Sequence, residues 1–149
     1  MARLPRRVFP SSGFWHVTAR GVDGTAIVGE RDDALVLLRL LAAVVRRHPL
    51  EMHAMCLMTN HYHLVVEAAR DALSAAMHRV NGIHAATFNR RHRRRGHLFG
   101  DRFWTETIES EEQLHSTCRY VVLNPVRAGL CSHPSEWPWL GSRYGLAVE

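Results

Sequence analysis

Residues 50–58 and 62–67 are two apolar, β-prone runs separated by little more than Thr59-Asn60. Runs so close together pair as an antiparallel hairpin, and a hairpin in mid-chain restricts what the segments on either side can do. Upstream, residues 14–20 alternate: Phe14, His16, Thr18 and Arg20 face one way, and Trp15, Val17 and Ala19 the other. Between this strand and the hairpin, residues 21–29 form a loop. Asp32 and Asp33 then open a helix with Leu35, Leu38, Leu41 and Val45 at helical spacing, which Pro49 ends. Downstream, Asp71 is placed to cap a second helix carrying Leu73, Met77, Val80, His84 and Phe88 on one side, with Gly82 inside it. A fourth strand is expected around 103–108. Ser110 with Gln113 reads as a capping box, with Glu111 and Glu112 in the first turn of a third helix that runs through Tyr120. The order strand, helix, strand, strand, helix, strand, helix predicts an α+β fold: a ferredoxin-like antiparallel sheet with helices packed on one face.

The 149 residues suit one domain spanning 1–149, with a C-terminal tail from about residue 131. The net charge is +5 and the 19 basic residues are all arginine. Such a domain favours a polyanionic partner, most simply nucleic acid, because guanidinium groups bind phosphate in a planar, bidentate way. Cys56, Cys118 and Cys131 are odd in number and lack CxxC spacing, which argues for a reducing compartment and against a structural zinc. No apolar leader follows Met1 and no run is long enough to span a membrane, so a cytoplasmic location is expected.

His61 and His63 stand two apart on a strand, so both imidazoles share a face while Tyr62 points to the other. Neutral imidazole is a common metal ligand, but two ligands leave a site incomplete, and a pair of ordinary strand histidines has the same spacing.

Several segments, in order along almost the whole chain, resemble the REP-associated tyrosine transposases of the HUH single-tyrosine transposase superfamily. They are Trp15-His16-Val17-Thr18-Ala19-Arg20-Gly21; the stretch 53–64 that ends in Asn60-His61-Tyr62-His63-Leu64; Phe88-Asn89-Arg90-Arg91 with 96–103; Arg119-Tyr120 through Asn124-Pro125 to Gly129; and Trp137-Pro138-Trp139. The resemblance implies an HUH fold that acts on single-stranded or hairpin DNA with Mg²⁺ or Mn²⁺. It implies that His61 and His63 bind the metal, with Tyr62 as the hydrophobic residue between them, and that Tyr120 is the nucleophile. Related enzymes place a glutamine one helical turn after the tyrosine as a third ligand; here Asn124 stands at that spacing. The expected activity is metal-dependent cleavage and strand transfer at hairpin or palindromic repeats through a 5′-phosphotyrosine, by a monomer or homodimer. The alternative is a domesticated DNA-binding protein without turnover.

Other readings of these residues stay open. Asn124 precedes Pro125 and is followed by Gly129, so it could cap a short helical turn instead of coordinating. Tyr120 could be an amphipathic core residue, and Tyr62 and Tyr144 are rival phenols. Arg90, Arg91, Arg93, Arg94 and Arg95 could be a solvated helix end, although phosphate contacts are the preferred use. His16, Arg20 and Arg102 complete the expected DNA-binding set. Trp104, Trp137 and Trp139 could stack on unpaired bases or simply pack.

Overall fold

The computed structural model describes residues 12–100 and 102–146. Five strands, β1 (Ser12–Arg20), β2 (Leu50–Leu57), β3 (His61–Ala69), β4 (Trp104–Ile108) and β5 (Leu140–Ser142), form one sheet in the order β4-β1-β3-β2-β5. All pairings are antiparallel. The first four strands have the expected ferredoxin-like order, and the tail adds β5 to the β2 edge.

Strand alternation divides the sheet cleanly. Trp15, Val17 and Ala19 of β1 and Tyr62, Leu64, Val66 and Ala68 of β3 face the main core. That core is closed by α1 (Arg31–Arg47) and α2 (Arg70–Arg91). The opposite face carries Ala54, Cys56, Val65 and Ile108 and packs against Leu114, Cys118 and Val121 of α3 (Glu111–Val122). The helices therefore cover both faces, not one. The reason lies in Val65 and Cys56, which are apolar on the face of the histidines and need a partner of their own.

The α2 stripe is as expected: Leu73, Met77, Val80, His84 and Phe88 are all buried. Asp71 does not cap it, because β3 runs directly into the helix and Ala69 is the N-cap. In α1 the buried stripe is Ala34, Leu37, Leu41 and Val44, while Leu35, Leu38 and Val45 lie at its margin. The helix is amphipathic, and its buried stripe begins at Ala34, one position before the Leu35 of the expected one. Asp33 is buried with that stripe. Its Oδ2 accepts from the backbone N–H groups of Gly29 and Glu30 and from His92 Nε2, while Arg91 Nε forms an ion pair with Oδ1 at 3.3 Å.

The β1–α1 loop closes over the hairpin turn. Gly21 donates to the Asn60 carbonyl, and Ile27 and Val28 donate to that of Thr59. A Cβ on Gly21 would lie 1.9 Å from the Thr25 carbonyl oxygen, so only glycine fits there. This loop holds the end of β3 that begins with His61. No helix among the described residues is long and apolar enough to cross a membrane.

Candidate active site

The strand register builds the site. Thr18 pairs with His63 and Arg20 with His61, and β4 brings Trp104 opposite Thr18 and Glu106 opposite His16. His16, Thr18, Arg20, His63, Trp104 and Glu106 therefore stand on one face. With Thr105 and with Ser116, Thr117 and Tyr120 of α3, they line an open cleft of about 600 Å³.

His61 and His63 lie edge to face with ring centroids 5.0 Å apart. His63 Nδ1 is 3.0 Å from His16 Nε2 and 3.1 Å from the Thr18 hydroxyl. His61 Nδ1 is 2.7 Å from Asn60 Oδ1, an atom that can only accept, so this nitrogen carries the proton. In both histidines Nδ1 is thus held by a neighbour, as a second partner holds a metal-binding imidazole. Burial pushes the pKa of His16 and of His61 down to about 4, with Arg20 also lowering His61 and a hydrogen bond with Asn124 opposing the fall. Burial pushes His63 to about 3, aided by His16, His61, Arg20 and Arg127. All three rings are neutral near pH 7, the form that ligates metal.

Tyr120 is the aromatic residue that α3 presents to this face. Its ring centroid is 6.0 Å from those of His16 and His63, and it is 48% exposed. The amphipathic-core reading of Tyr120 is therefore displaced, since Cys118, Val121 and Val122 supply the buried side of α3. The rival phenols are occupied. Tyr62 is fully buried in the main core and donates to Asn81 Oδ1 at 2.5 Å, and the Tyr144 hydroxyl is bound to His53.

Asn124 does not cap the short helix α4 (Asn124–Arg127). Leu123 holds that position, and no side chain caps it. Instead the Asn124 side chain hydrogen-bonds His61. The glycine expected past the end is present: Gly129 has φ 76°, and Leu130 N–H bonds back to the Pro125 carbonyl. Sequence reasoning missed Arg127, whose guanidinium lies 3.9 Å from the Tyr120 ring centroid and donates to the Tyr120 carbonyl at 2.8 Å. It also missed Glu106 and Thr117 as cleft residues, and left Trp104 open between stacking and packing. The same-face alternation of β4 was the signal for Trp104 and Glu106.

The basic run divides. Arg91 pairs with Glu30, Asp32 and the buried Asp33, and Arg94 donates to Asn89 and to the carbonyls of Gly96 and His97. Arg90, Arg93 and Arg95 are exposed. Arg102 lies in a second groove of about 700 Å³ beside α2, with Asn81, Asn89 and Phe99. Trp137 donates to the Leu57 carbonyl, and Trp139 packs against the main core, so both are used in holding the tail.

A family model described as "Transposase IS200 like" matches residues 25–124. Among solved structures, the chain is similar to one described as a REP-associated tyrosine transposase bound to a REP hairpin. The TM-score is 0.73 at 20% identity, covering 94% of this chain and 82% of that one. A candidate transposase from Deinococcus radiodurans R1 is more distant, with a TM-score of 0.49 at 18% identity over 81% of this chain and 95% of its own. No curated protein matches the chain.

Proposed function

Because the chain belongs to the IS200-like transposase family, we propose that it cuts and rejoins single-stranded DNA at hairpin or palindromic repeats through a 5′-phosphotyrosine on Tyr120. One observation carries this reading: Tyr120 enters, half exposed, the same cleft that holds His63 and His16.

The Tyr120 oxygen attacks phosphorus, and the new O–P bond replaces the bond to the 3′ oxygen. The phenolic proton passes to solvent, and the departing 3′ oxygen leaves as a hydroxyl. A returning 3′-hydroxyl reverses the exchange, and because one phosphodiester replaces another, no nucleotide triphosphate is needed. His61, His63 and the amide oxygen of Asn124 fit a divalent ion, Mg²⁺ or Mn²⁺. Two neutral imidazoles have their second nitrogens anchored, and the amide already touches one of them. Such an ion, when bound, withdraws charge from the scissile phosphate. Arg127, beside the Tyr120 ring, is placed to neutralise charge that builds on the phosphate, and Arg20 to hold the entering strand. Trp104 at the cleft wall offers a stacking face for an unpaired base. His16 positions His63.

The hairpin stem is assigned to the exposed Arg90, Arg93 and Arg95, with Arg102 extending that surface. Arg91 and Arg94 shape it from their internal contacts. The hairpin bound by the similar solved structure makes such DNA the first substrate to try. The reading places a monomer or homodimer in the cytoplasm.

The test uses a labelled hairpin oligonucleotide with Mn²⁺ and follows the covalent protein–DNA species on a denaturing gel. Tyr120→Phe is expected to lower adduct formation at least ~10³-fold, the scale on which removing a nucleophile acts. Cleavage with an adduct in that variant would sink the assignment. Binding without any cleavage by the unaltered chain would favour the DNA-binding protein without turnover.

A further inference from the structure

The same face of the sheet carries a second set of donor atoms away from the cleft. The pairing of β2 with β3 shifts between Met52 and Ala54, and the extra residue is His53. A bulge of this kind re-aims a side chain. Ala54 packs on the α3 side, and His53 reaches Glu67 of β3 on that side as well. Glu51 lies directly opposite Glu67 across the two strands. Two carboxylates in that position repel unless a cation lies between them.

His53 stands between these acids. It is 5% exposed, with Nε2 3.2 Å from Glu67 Oε1 and Nδ1 2.6 Å from the Tyr144 hydroxyl. The ligand atoms of Glu51, His53 and Glu67 all lie within 4.8 Å of one another, and they are the only His, Cys, Asp and Glu side chains among the described residues to converge in this way.

We propose that Glu51, His53 and Glu67 form a zinc site, separate from the cleft, that fastens the C-terminal tail to the sheet. One imidazole nitrogen and two carboxylate oxygens form a donor set that suits Zn²⁺, with water in the fourth position. Bonds of about 2.0–2.1 Å in a tetrahedron separate ligand atoms by roughly 3.3 Å, so side-chain rotation of the two glutamates closes the set. The Tyr144 hydroxyl holds Nδ1 and turns Nε2 toward the acids, as a second partner of a metal-binding histidine does. Tyr144 also packs on His115 of α3, with ring centroids 4.5 Å apart. An ion on His53 therefore links β2, β3, the tail and the helix that carries Tyr120. Arg143 is the competing cation, 3.7 Å from Glu51, but it also donates to the Met52 carbonyl at 3.0 Å and stays tethered there when Glu51 turns to the metal. The expectation against a structural zinc rested on the three cysteines, and this donor set uses none of them.

The test measures zinc content and zinc titration on the full chain carrying His61→Ala and His63→Ala, which removes the two histidines proposed as ligands at the cleft. After chelator treatment this protein is expected to take up one Zn²⁺ per chain and to gain thermal stability. Adding Glu51→Gln and Glu67→Gln should weaken binding by about 100-fold or more, and Tyr144→Phe by about 10-fold. Both changes keep side-chain size, and circular dichroism checks the fold. The proposal is overturned if the His61/His63 variant binds no zinc, or if the double Gln variant binds it unchanged. Because the site is read without Tyr120 or DNA, failure of the strand-transfer reading leaves it untouched.

Discussion

Tyr62 and Tyr120 show what one side chain's surroundings do to one chemistry. Both are tyrosines near the histidine pair in sequence or space, yet only Tyr120 faces it. Strand alternation made this legible for Tyr62: a residue between two same-face histidines points away from them. Its hydroxyl is in the main core, with Asn81 as partner. Burial pushes its pKa up, while the Asn81 bond opposes this. Tyr62→Phe therefore leaves the partly buried amide oxygen of Asn81 without its donor. The expected loss is about 1–3 kcal/mol of stability, seen as a lower urea midpoint, with adduct formation on hairpin DNA retained per folded molecule. Tyr120→Phe should do the reverse. If Tyr62→Phe abolishes the adduct while the protein stays folded, the division of roles between the two phenols is wrong. The place of Asn124 was less legible. Its spacing before Pro125 and Gly129 served a cap and a ligand equally well. The choice depended on His61 lying beside it, a contact between residues 63 positions apart that no local pattern records.

At the scale of elements, the end of α2 separates two uses of arginine that composition merges. Arg91 is spent on α1. Its guanidinium reaches Glu30, Asp32 and Asp33, and the Asp33 side chain is 1% exposed while that of Arg91 is 32% exposed. Arg91→Ala removes one partner of a buried carboxylate. Discounted for the partial exposure of Arg91 and for the remaining His92 contact, the loss should be roughly 2–3 kcal/mol, read from urea unfolding. Arg90→Ala, Arg93→Ala and Arg95→Ala should each change stability by less than about 0.5 kcal/mol. Each should also lower by about one the slope of log affinity for hairpin DNA against log salt. Equal salt slopes for all four variants, or a destabilised Arg93→Ala, would show that the run has been divided wrongly. A sequence reader sees five arginines in six positions and infers a phosphate surface. That one of them belongs to a carboxylate on α1 follows only once α1 and α2 are packed side by side. In α1 the apolar residues were equally visible, but the buried subset is Ala34, Leu37, Leu41 and Val44, one step from the stripe that began at Leu35.

For the molecule as a whole, the sheet order was legible because a tight hairpin between two helices leaves few antiparallel arrangements. The covering of both faces was not, because the second apolar surface is assembled from single residues of β2, β3 and β4. Several histidines are withdrawn from solvent in the folded chain, and this has a measurable consequence for the entire fold. His16 and His61 are held near pKa 4 and His63 near 3, and His84 is lowered by its own burial, against an ordinary value of 6.5. Each group is neutral in the folded chain where the unfolded chain takes up a proton, so stability rises with pH through this window. Above pH 6.5 neither state binds these protons and the contribution is complete. As pH falls below 6.5 it is lost, until the folded imidazoles themselves titrate near pH 4. For His63, 4% exposed, the loss approaches about 1.4 kcal/mol per pH unit. Several such groups together form a large share of a typical domain's 5–15 kcal/mol. Metal-free protein should therefore show a flat urea midpoint from pH 8 to 7 and a steep fall from pH 6.5 to 5, before most carboxylates titrate. Added Mn²⁺ should raise the midpoint at pH 7.5 and lose its effect toward pH 5, because protons and metal compete for the same nitrogens. A midpoint that holds or rises as the metal-free protein is taken to pH 5 would mean that these imidazoles are not kept neutral by the fold. The physical basis for a ready metal site in the cleft would then be gone.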